Sequence, residues 1–192
     1  GFNLIIIKKW FDGAKIISKG YFYKSNQKIT TTLFFLMEKT FIFNYKEYAS
    51  LDSLPETDRN LVANALDAQK KAYAPYSNFQ VGAAILFEDG TIVSGSNQEN
   101  AAYPSGLCAE RTARFYAQAN YPDKKIEAIA ITSATNQVQN RKPVFPGGSC
   151  RQVLLESEQR NGKPIKVMCY GVDGIIEVPS TASLLPLHFI FE

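Results

Sequence analysis

The chain has 192 residues, 45% of them hydrophobic, a length that suits one well-buried domain and an additional segment. No apolar run approaches the roughly 20 residues that a membrane-spanning helix needs, so we expect no such helix. Its three cysteines do not form the paired framework of disulfide-stabilised secreted proteins, and we therefore expect a reducing, cytoplasmic setting.

Charge is distributed unevenly along the chain. The formal net charge of +3 arises from 21 basic and 18 acidic residues. Residues 1–36 contain six of the lysines and a single acid, Asp12, which leaves 15 basic and 17 acidic residues in 37–192. This larger part gives no electrostatic indication of nucleic-acid binding. We expect neither a nucleic-acid nor a membrane partner for it.

Residues 1–36 differ from the rest of the chain in sequence pattern as well. They have no sustained helical or strand periodicity, and Met37 is the first methionine. Their apolar runs are too short for the core of a signal peptide. We expect residues 1–36 to be a tail translated from upstream of a natural start at Met37, with the folded domain in 37–192.

Helices and strands alternate in the pattern of the remaining residues. The S-x-x-E spacing of Ser53 and Glu56 predicts a capping box that opens an amphipathic helix over 54–73. The other predicted elements are, in chain order, a short edge strand or arm within 41–48, strands 79–87 and 91–96, a helix from 108 to about 120, a strand over 126–132, a helix opened by 145–150 and ending at 161, and strands 165–170 and 174–178. This order predicts a mixed sheet that is covered by helices on both faces.

Two short segments, 42 residues apart, carry the candidate chemistry: Cys108-Ala109-Glu110 and Pro146-Gly147-Gly148-Ser149-Cys150. Each opens a predicted helix, so each offers a thiolate at the positive end of a helix dipole. A catalytic zinc is held by three protein ligands and makes a water molecule a usable nucleophile near neutral pH. A carboxylate that is not itself a ligand can move the proton of that water. The two segments therefore predict a zinc centre with Glu110 beside it.

The stretch from Ala74 to Phe189 resembles the small, homotetrameric, zinc-dependent cytidine deaminases of the cytidine and deoxycytidylate deaminase family. The matching sequences are Y-S-N-F-Q-V-G-A-A from Tyr76, N-Q-E-N-A-A-Y from Asn97, C-A-E-R-T-A from Cys108 and S-C-R-Q-V-L-L-E from Ser149. The resemblance implies a three-layer α/β/α fold with a mixed five-stranded sheet. It also implies a hydrolase that acts on a cyclic amidine C–N bond, converting cytidine or 2′-deoxycytidine to the uridine nucleoside and ammonia in pyrimidine salvage.

The same resemblance implies roles for individual residues. Cys108 and Cys150 would be the zinc ligands, Glu110 the catalytic proton shuttle, and Arg111 and Gln152 would surround and orient the ligands. The implied substrate-binding residues are Phe79 (stacking on the pyrimidine), Asn97 and Glu99 (ribose hydroxyls), Gln98, Asn100, Ala101, Ala102, Tyr103, Ala109 (backbone at the base edge) and Phe189 (reaching a neighbouring subunit of the homotetramer).

Gly147 departs from the zinc deaminase pattern. That pattern, H-x-E…P-C-x-x-C, has a cysteine where this chain reads P-G-G-S-C, and glycine has no side chain to donate. An alternative hypothesis is therefore a catalytically impaired homologue that keeps the fold and binds nucleosides. Editing of polynucleotide bases is disfavoured, because Asn97 and Glu99 match a clamp for a free nucleoside.

Overall fold

The computed structural model describes residues 3–11, 14–22, 34–37 and 39–190, and the chain divides into two compact units. The first, Gly1–Ile42, contains an antiparallel sheet of β1 (Asn3–Phe11), β2 (Ala14–Phe22) and β3 (Phe34–Met37), in that order. Strand pairing therefore occurs where the sequence shows no strand period. The prediction of a separate tail over 1–36 falls partly outside the described residues.

The second unit, Phe43–Glu192, contains the predicted alternation of helices and strands. Its elements are β4 (Lys46–Tyr48), α1 (Glu56–Gln69), β5 (Phe79–Phe87), β6 (Ile92–Ser96), α2 (Ala109–Asn120), β7 (Ile126–Thr135), β8 (Val138–Gln139), α3 (Gly148–Asn161), β9 (Lys166–Gly171) and β10 (Gly174–Val178). Short 3-10 turns occupy Leu51–Ser53, Tyr103–Ser105 and Thr181–Leu184. Among the helices within 39–190, none is long and apolar enough to cross a membrane.

The main sheet is mixed, as predicted, with the strand order β4-β10-β9-β7-β5-β6 and β8 paired to β7. The β7–β9 pair is parallel and the other pairs are antiparallel. The prediction of five strands is wrong in number, since the sheet has seven. Two short strands account for the difference: β4, which lies within the edge strand or arm expected over 41–48, pairs with β10 at one edge, and β8 pairs with β7 in a hairpin.

Helices cover both faces of this sheet, which confirms the three-layer arrangement. Alternate residues of β5 point to opposite faces. Ala84 and Leu86 belong to the buried cluster that includes Leu61 of α1. Ala83 and Ile85 belong to the cluster that contains α2 and α3 residues. The two helices that carry the candidate chemistry therefore lie on the same face.

Two strand glycines allow helices to approach the sheet closely. A Cβ atom at Gly82 would lie 2.0 Å from the carbonyl oxygen of Ala65 in α1. A Cβ at Gly95 would lie 2.6 Å from the backbone nitrogen of Ala113 in α2. Backbone atoms of α1 and α2 occupy the space that a side chain would need at these two positions, so both helices pack directly on the strands. This packing fixes the position of α2, which carries the first candidate segment.

The predicted capping box is wrong. Helix α1 begins after Pro55 without a side-chain cap, because Ser53 belongs to the preceding 3-10 turn. The end predicted for α3 is confirmed: Gly162 adopts a left-handed conformation (φ 71°), and its N–H donates to the carbonyl oxygens of Glu158 and Gln159.

Candidate active site

The N-terminal ends of α2 and α3 bring the two candidate segments together. Cys108 is the N-cap of α2 and Glu110 its second residue, whereas Gly147 is the N-cap of α3 and Cys150 its third residue. The Cys108 sulfur, the Cys150 sulfur and a carboxylate oxygen of Glu110 all lie within 4.8 Å of one another. The predicted association of the two segments is confirmed, because both helices begin at the same end of one sheet face.

The two thiols have different surroundings. Cys108 is exposed, whereas Cys150 is 1% exposed. A hydrogen bond from the Cys150 thiol and, to a smaller extent, the guanidinium of Arg111, whose Nη2 lies 3.7 Å from the sulfur, lower the pKa of Cys108 to about 5. The same thiol contact, together with burial, raises the pKa of Cys150. Without a metal, negative charge therefore concentrates on the Cys108 sulfur.

Glu110 is a buried carboxyl group. It is 5% exposed, and desolvation raises its pKa. The negative charge of the neighbouring Cys108 raises this pKa as well. Burial therefore favours the protonated form of this carboxyl group more than water does.

The donor set fits zinc through its two thiols, which are favoured ligands for this metal. A third protein sulfur is missing, since Gly147 stands at the position that the P-C-x-x-C pattern gives to cysteine. Crowding does not account for the glycine. Among the described residues, a Cβ atom at Gly147 would meet nothing within 4 Å beyond its chain neighbours, and the backbone there (φ −67°, ψ 168°) accepts any residue.

A cavity of about 480 Å³ opens beside Cys108 and Arg111. Its volume lies in the range of small-molecule sites. The lining residues are Tyr76, Ser77, Asn97, Gln98, Glu99, Asn100, Tyr103, Gly106, Leu107, Cys108 and Arg111. Five predicted substrate-binding positions (97–100 and 103) lie in this wall. Sequence reasoning missed Tyr76, Ser77, Gly106 and Leu107, although the first two open a motif that carries the family resemblance.

The cavity wall at 97–99 is held on both sides by backbone hydrogen bonds. The N–H of Tyr73 donates to the carbonyl of Asn97 at 3.0 Å, and the N–H of Glu99 donates to the carbonyl of Tyr73 at 2.8 Å. On the other side, Gln98 and Leu107 exchange two bonds of 2.9 Å. The polar wall of the cavity is therefore fixed before any ligand arrives.

Side chains of this wall also orient its neighbours. The Asn97 amide donates to the carbonyl of Phe79 and accepts from the N–H of Val81, each at 2.8 Å. The Glu99 carboxylate accepts from the hydroxyl of Ser77 and from the N–H of Tyr76 at 2.9 Å. The Ser77 hydroxyl lowers the pKa of Glu99, so this acid remains ionised.

Other predicted site residues lie outside this lining: Phe79, Ala101, Ala102, Ala109 and Phe189. Ala109 is fully buried as the first residue of α2, and Phe189 is 70% exposed. The Gln152 amide donates to the carbonyl of Phe189 at 3.0 Å. In this chain Gln152 therefore contacts the C-terminal segment, a placement that its position two residues after Cys150 does not predict.

Arg151 is a structural residue of the site that sequence reasoning missed. Its Nε donates to the carbonyl of Pro146 at 2.8 Å, and its Nη1 donates to the carbonyl of Leu184 at 3.0 Å. The side chain thus ties the segment before α3 to the 3-10 turn at Thr181–Leu184. The signal in the sequence was an arginine directly after a candidate ligand, but its partners are distant in the chain.

An α/β/α fold with thiols and a buried carboxyl group at paired helix ends has the types of group that a metal-assisted hydrolase requires. Residues 55–163 match the family model described as "Cytidine and deoxycytidylate deaminase zinc-binding region". The chain belongs to this family, and zinc is the metal that its matched region binds.

Curated relatives and solved structures agree with this assignment. The chain is 40% identical over 132 residues to the cytidine deaminase of Halalkalibacterium halodurans, covering 69% of this chain and 93% of that protein. It is 44% identical over 132 residues to that of Sporosarcina psychrophila, covering 69% and 90%. The crystal structure of the Burkholderia pseudomallei cytidine deaminase superposes with a TM-score of 0.58 at 39% identity, covering 68% and 97%. The crystal structure of the Mycobacterium tuberculosis cytidine deaminase gives a TM-score of 0.54 at 34% identity, covering 69% of this chain and 96% of that chain.

Proposed function

We propose that the protein is a zinc-dependent cytidine deaminase that hydrolyses cytidine and 2′-deoxycytidine to uridine and 2′-deoxyuridine, with release of ammonia. The observation that carries the proposal is the buried Glu110 carboxyl group within 4.8 Å of the sulfurs of Cys108 and Cys150. The names of the relatives at 40% and 44% identity support this substrate class. Retention of Glu110 and both thiols favours an active enzyme over an impaired homologue.

The residues of the centre divide into metal holders and a proton carrier. Cys108 and Cys150 would hold the zinc, which supplies a water molecule activated for attack near neutral pH. Glu110 would carry one proton of that water to the ring nitrogen as the oxygen adds, and would then carry the remaining hydroxyl proton to the leaving amine. Water thus adds at the amine-bearing carbon, and the C–N bond breaks to release ammonia. Burial of Glu110 favours the protonated form between these steps.

Substrate recognition is assigned to the polar wall of the cavity. Asn97 and Glu99 would bind the ribose hydroxyls, and the half-buried Glu99 lies in the wall of the cavity. Phe79 would stack on the pyrimidine, and the backbone at Ala109 would bind the base edge. The remaining assigned positions, Gln98 and residues 100–103, would complete the contact surface around the nucleoside.

Assembly and setting follow the same proposal. A homotetramer would place the exposed Phe189 of one subunit against the pocket of another. The absence of a paired cysteine framework favours the cytoplasm, where pyrimidine salvage takes place. The deaminase domain would be residues 37–192. Removal of residues 1–36 should leave the oligomer and its turnover intact, and loss of either would contradict this boundary.

The direct test is turnover of cytidine by the zinc-loaded chain, with adenosine as a control substrate. Formation of uridine and ammonia in equal amounts is the expected result. The assigned ribose contact is tested by Glu99→Gln. This variant should raise the KM for cytidine more than it lowers kcat, because the sugar contact is remote from the reacting carbon. A zinc-loaded chain that leaves both cytidine and 2′-deoxycytidine unchanged would overturn the proposal.

A further inference from the structure

The two-thiol centre has an open position beside Gly147. We propose that a small monothiol from solution occupies this position and acts as the third sulfur ligand of the metal, beside Cys108 and Cys150. The inference rests on the proposed function only in taking zinc as the metal of this centre. It assigns the chain a thiol-binding subsite within its own metal site.

Local helix geometry directs the open position toward the sulfurs. The side chain of an N-cap residue reaches toward the third residue of its helix, as it does in a capping box. Gly147 is the N-cap of α3 and Cys150 is the third residue, so a donor in the place of a Gly147 side chain would be directed toward the first turn of α3, which carries Cys150. Among the described residues, nothing approaches within 4 Å of a Cβ built there, apart from the chain neighbours. A ligand atom therefore has room.

The charges around the position favour an anionic donor. The centre lies at the N-terminal ends of both α2 and α3, where backbone N–H groups and the helix dipole attract negative charge. The guanidinium of Arg111 lies 3.7 Å from the Cys108 sulfur and adds a full positive charge. These fields favour a thiolate over a neutral donor such as imidazole, and sulfur is a ligand well suited to zinc.

Glu110 is the competitor for the same position. Its carboxylate oxygen lies within 4.8 Å of both sulfurs and can reach a metal held between them. A carboxylate bound to the metal cannot carry protons, however, so occupation by Glu110 removes the group on which turnover depends. A monothiol at the open position leaves Glu110 free. Metal affinity and turnover should therefore respond together to added thiol.

The test measures metal affinity and ligand number without relying on activity. Zn²⁺ affinity is determined by chelator competition in a phosphine reductant, with and without 2-mercaptoethanol, for the native chain, Gly147→Cys and Gly147→Ala. Gly147→Cys supplies the third sulfur covalently. Gly147→Ala places a methyl group in the same space without a donor, and the open surroundings of Gly147 allow both substitutions. Thiol-to-Co²⁺ charge-transfer absorption of the cobalt-substituted proteins reports how many sulfurs bind.

We expect 2-mercaptoethanol to raise the metal affinity of the native chain at least about ten-fold relative to both variants, since a bound co-ligand stabilises the metal complex by mass action. The charge-transfer intensity of the native protein should rise from that of two sulfurs to that of Gly147→Cys. Because free thiol competes for metal equally in all three samples, only the difference between them counts. Imidazole in place of the thiol should give a smaller gain.

An equal response of the native chain and Gly147→Ala, or unchanged charge-transfer intensity, would overturn the inference, and so would a gain with imidazole that matches the thiol. The proposed function fails in a different way. If the thiol tightens metal binding but no form of the protein converts cytidine, the deaminase proposal is lost and the thiol subsite stands. If cytidine is converted but added thiol leaves the metal affinity unchanged, the thiol subsite is lost and the deaminase proposal stands.

Discussion

The N-terminal ends of α2 and α3 form the two halves of one centre, and they are not equivalent. The α2 end contributes a sulfur from its N-cap, a buried carboxyl group from its second residue, and the guanidinium of Arg111 beside the sulfur. The α3 end has an N-cap without a side chain and contributes a single sulfur, from Cys150. Both ends provide the same positive electrostatic field. They differ in the number of groups placed in that field.

The arginine that follows each half illustrates the difference. Arg111 contacts the Cys108 sulfur and so acts on the charge of a ligand. Arg151 contacts the carbonyls of Pro146 and Leu184 and so acts on the backbone that carries Cys150. In the α2 half the arginine therefore acts on the charge of the Cys108 ligand, and in the α3 half it acts on the position of the backbone that carries Cys150. Substitutions can test this division from its largest effect to its smallest.

Glu110→Gln should have the largest effect, a fall in kcat of about 10²–10⁴-fold, because an amide of the same shape cannot carry the proton. Zinc content should stay unchanged if Glu110 is not a ligand. Steady-state kinetics and metal analysis of the same preparation check both points. A variant that keeps its turnover removes Glu110 from the mechanism, and one that loses its zinc makes Glu110 a ligand.

Cys108→Ser and Cys150→Ser should each reduce zinc affinity by more than about 100-fold. Each removes one of the two sulfur ligands, and the loss of a ligand should cost more affinity than the loss of a residue that only orients the ligands. Their effects on folding should differ. Cys150 is 1% exposed, so a serine there buries a hydroxyl at a cost of about 1–3 kcal/mol in the free energy of unfolding. Cys108 is exposed, and its replacement should stay within about 0.5 kcal/mol.

Urea denaturation of the metal-free variants compares the free energies of unfolding of Cys108→Ser and Cys150→Ser, with Cys169→Ser as the reference for a fully buried cysteine. Equal stability of the Cys108 and Cys150 variants would contradict the burial difference that distinguishes them.

Arg111→Met should reduce zinc affinity by about 10–100-fold, the range for groups that orient or balance metal ligands, without altering the free energy of unfolding. The guanidinium lies 3.7 Å from the Cys108 sulfur and stabilises its thiolate, and methionine keeps much of the side-chain length without the charge. Chelator competition measures the change. Unaltered affinity would show that the helix ends alone supply the positive field.

Arg151→Met should have the smallest effect on the metal and act first on stability. It leaves the carbonyls of Pro146 and Leu184 without their charged donor, a loss of about 1.5–3 kcal/mol in the free energy of unfolding. Thermal or urea unfolding of the metal-free protein checks this value. If Arg151→Met lowers zinc affinity as much as Arg111→Met while stability is unchanged, the division between ligand charge and backbone positioning is wrong.

Local signals predicted much of the fold but not its details. Apolar periodicity and turn residues predicted most strands and helices of the second unit to within a few residues, and Gly162 ended α3 as expected. The Ser53 capping box failed because a 3-10 turn used those residues instead. The short edge strand or arm expected within 41–48 is β4, whereas β8 has only two residues, too few for a strand period to be recognised.

The types of group at the centre were readable from the sequence: two cysteines and a glutamate two residues after the first, with spacings that one helical turn fixes. The family pattern P-C-x-x-C identified Gly147 as the position where a third sulfur belongs. The folded chain was needed to show that segments 42 residues apart meet within 4.8 Å, that Glu110 and Cys150 are buried while Cys108 is exposed, and that Arg151 contacts Leu184. Burial and long-range contacts arise from packing α2 and α3 on one sheet face, and no local pattern encodes that packing.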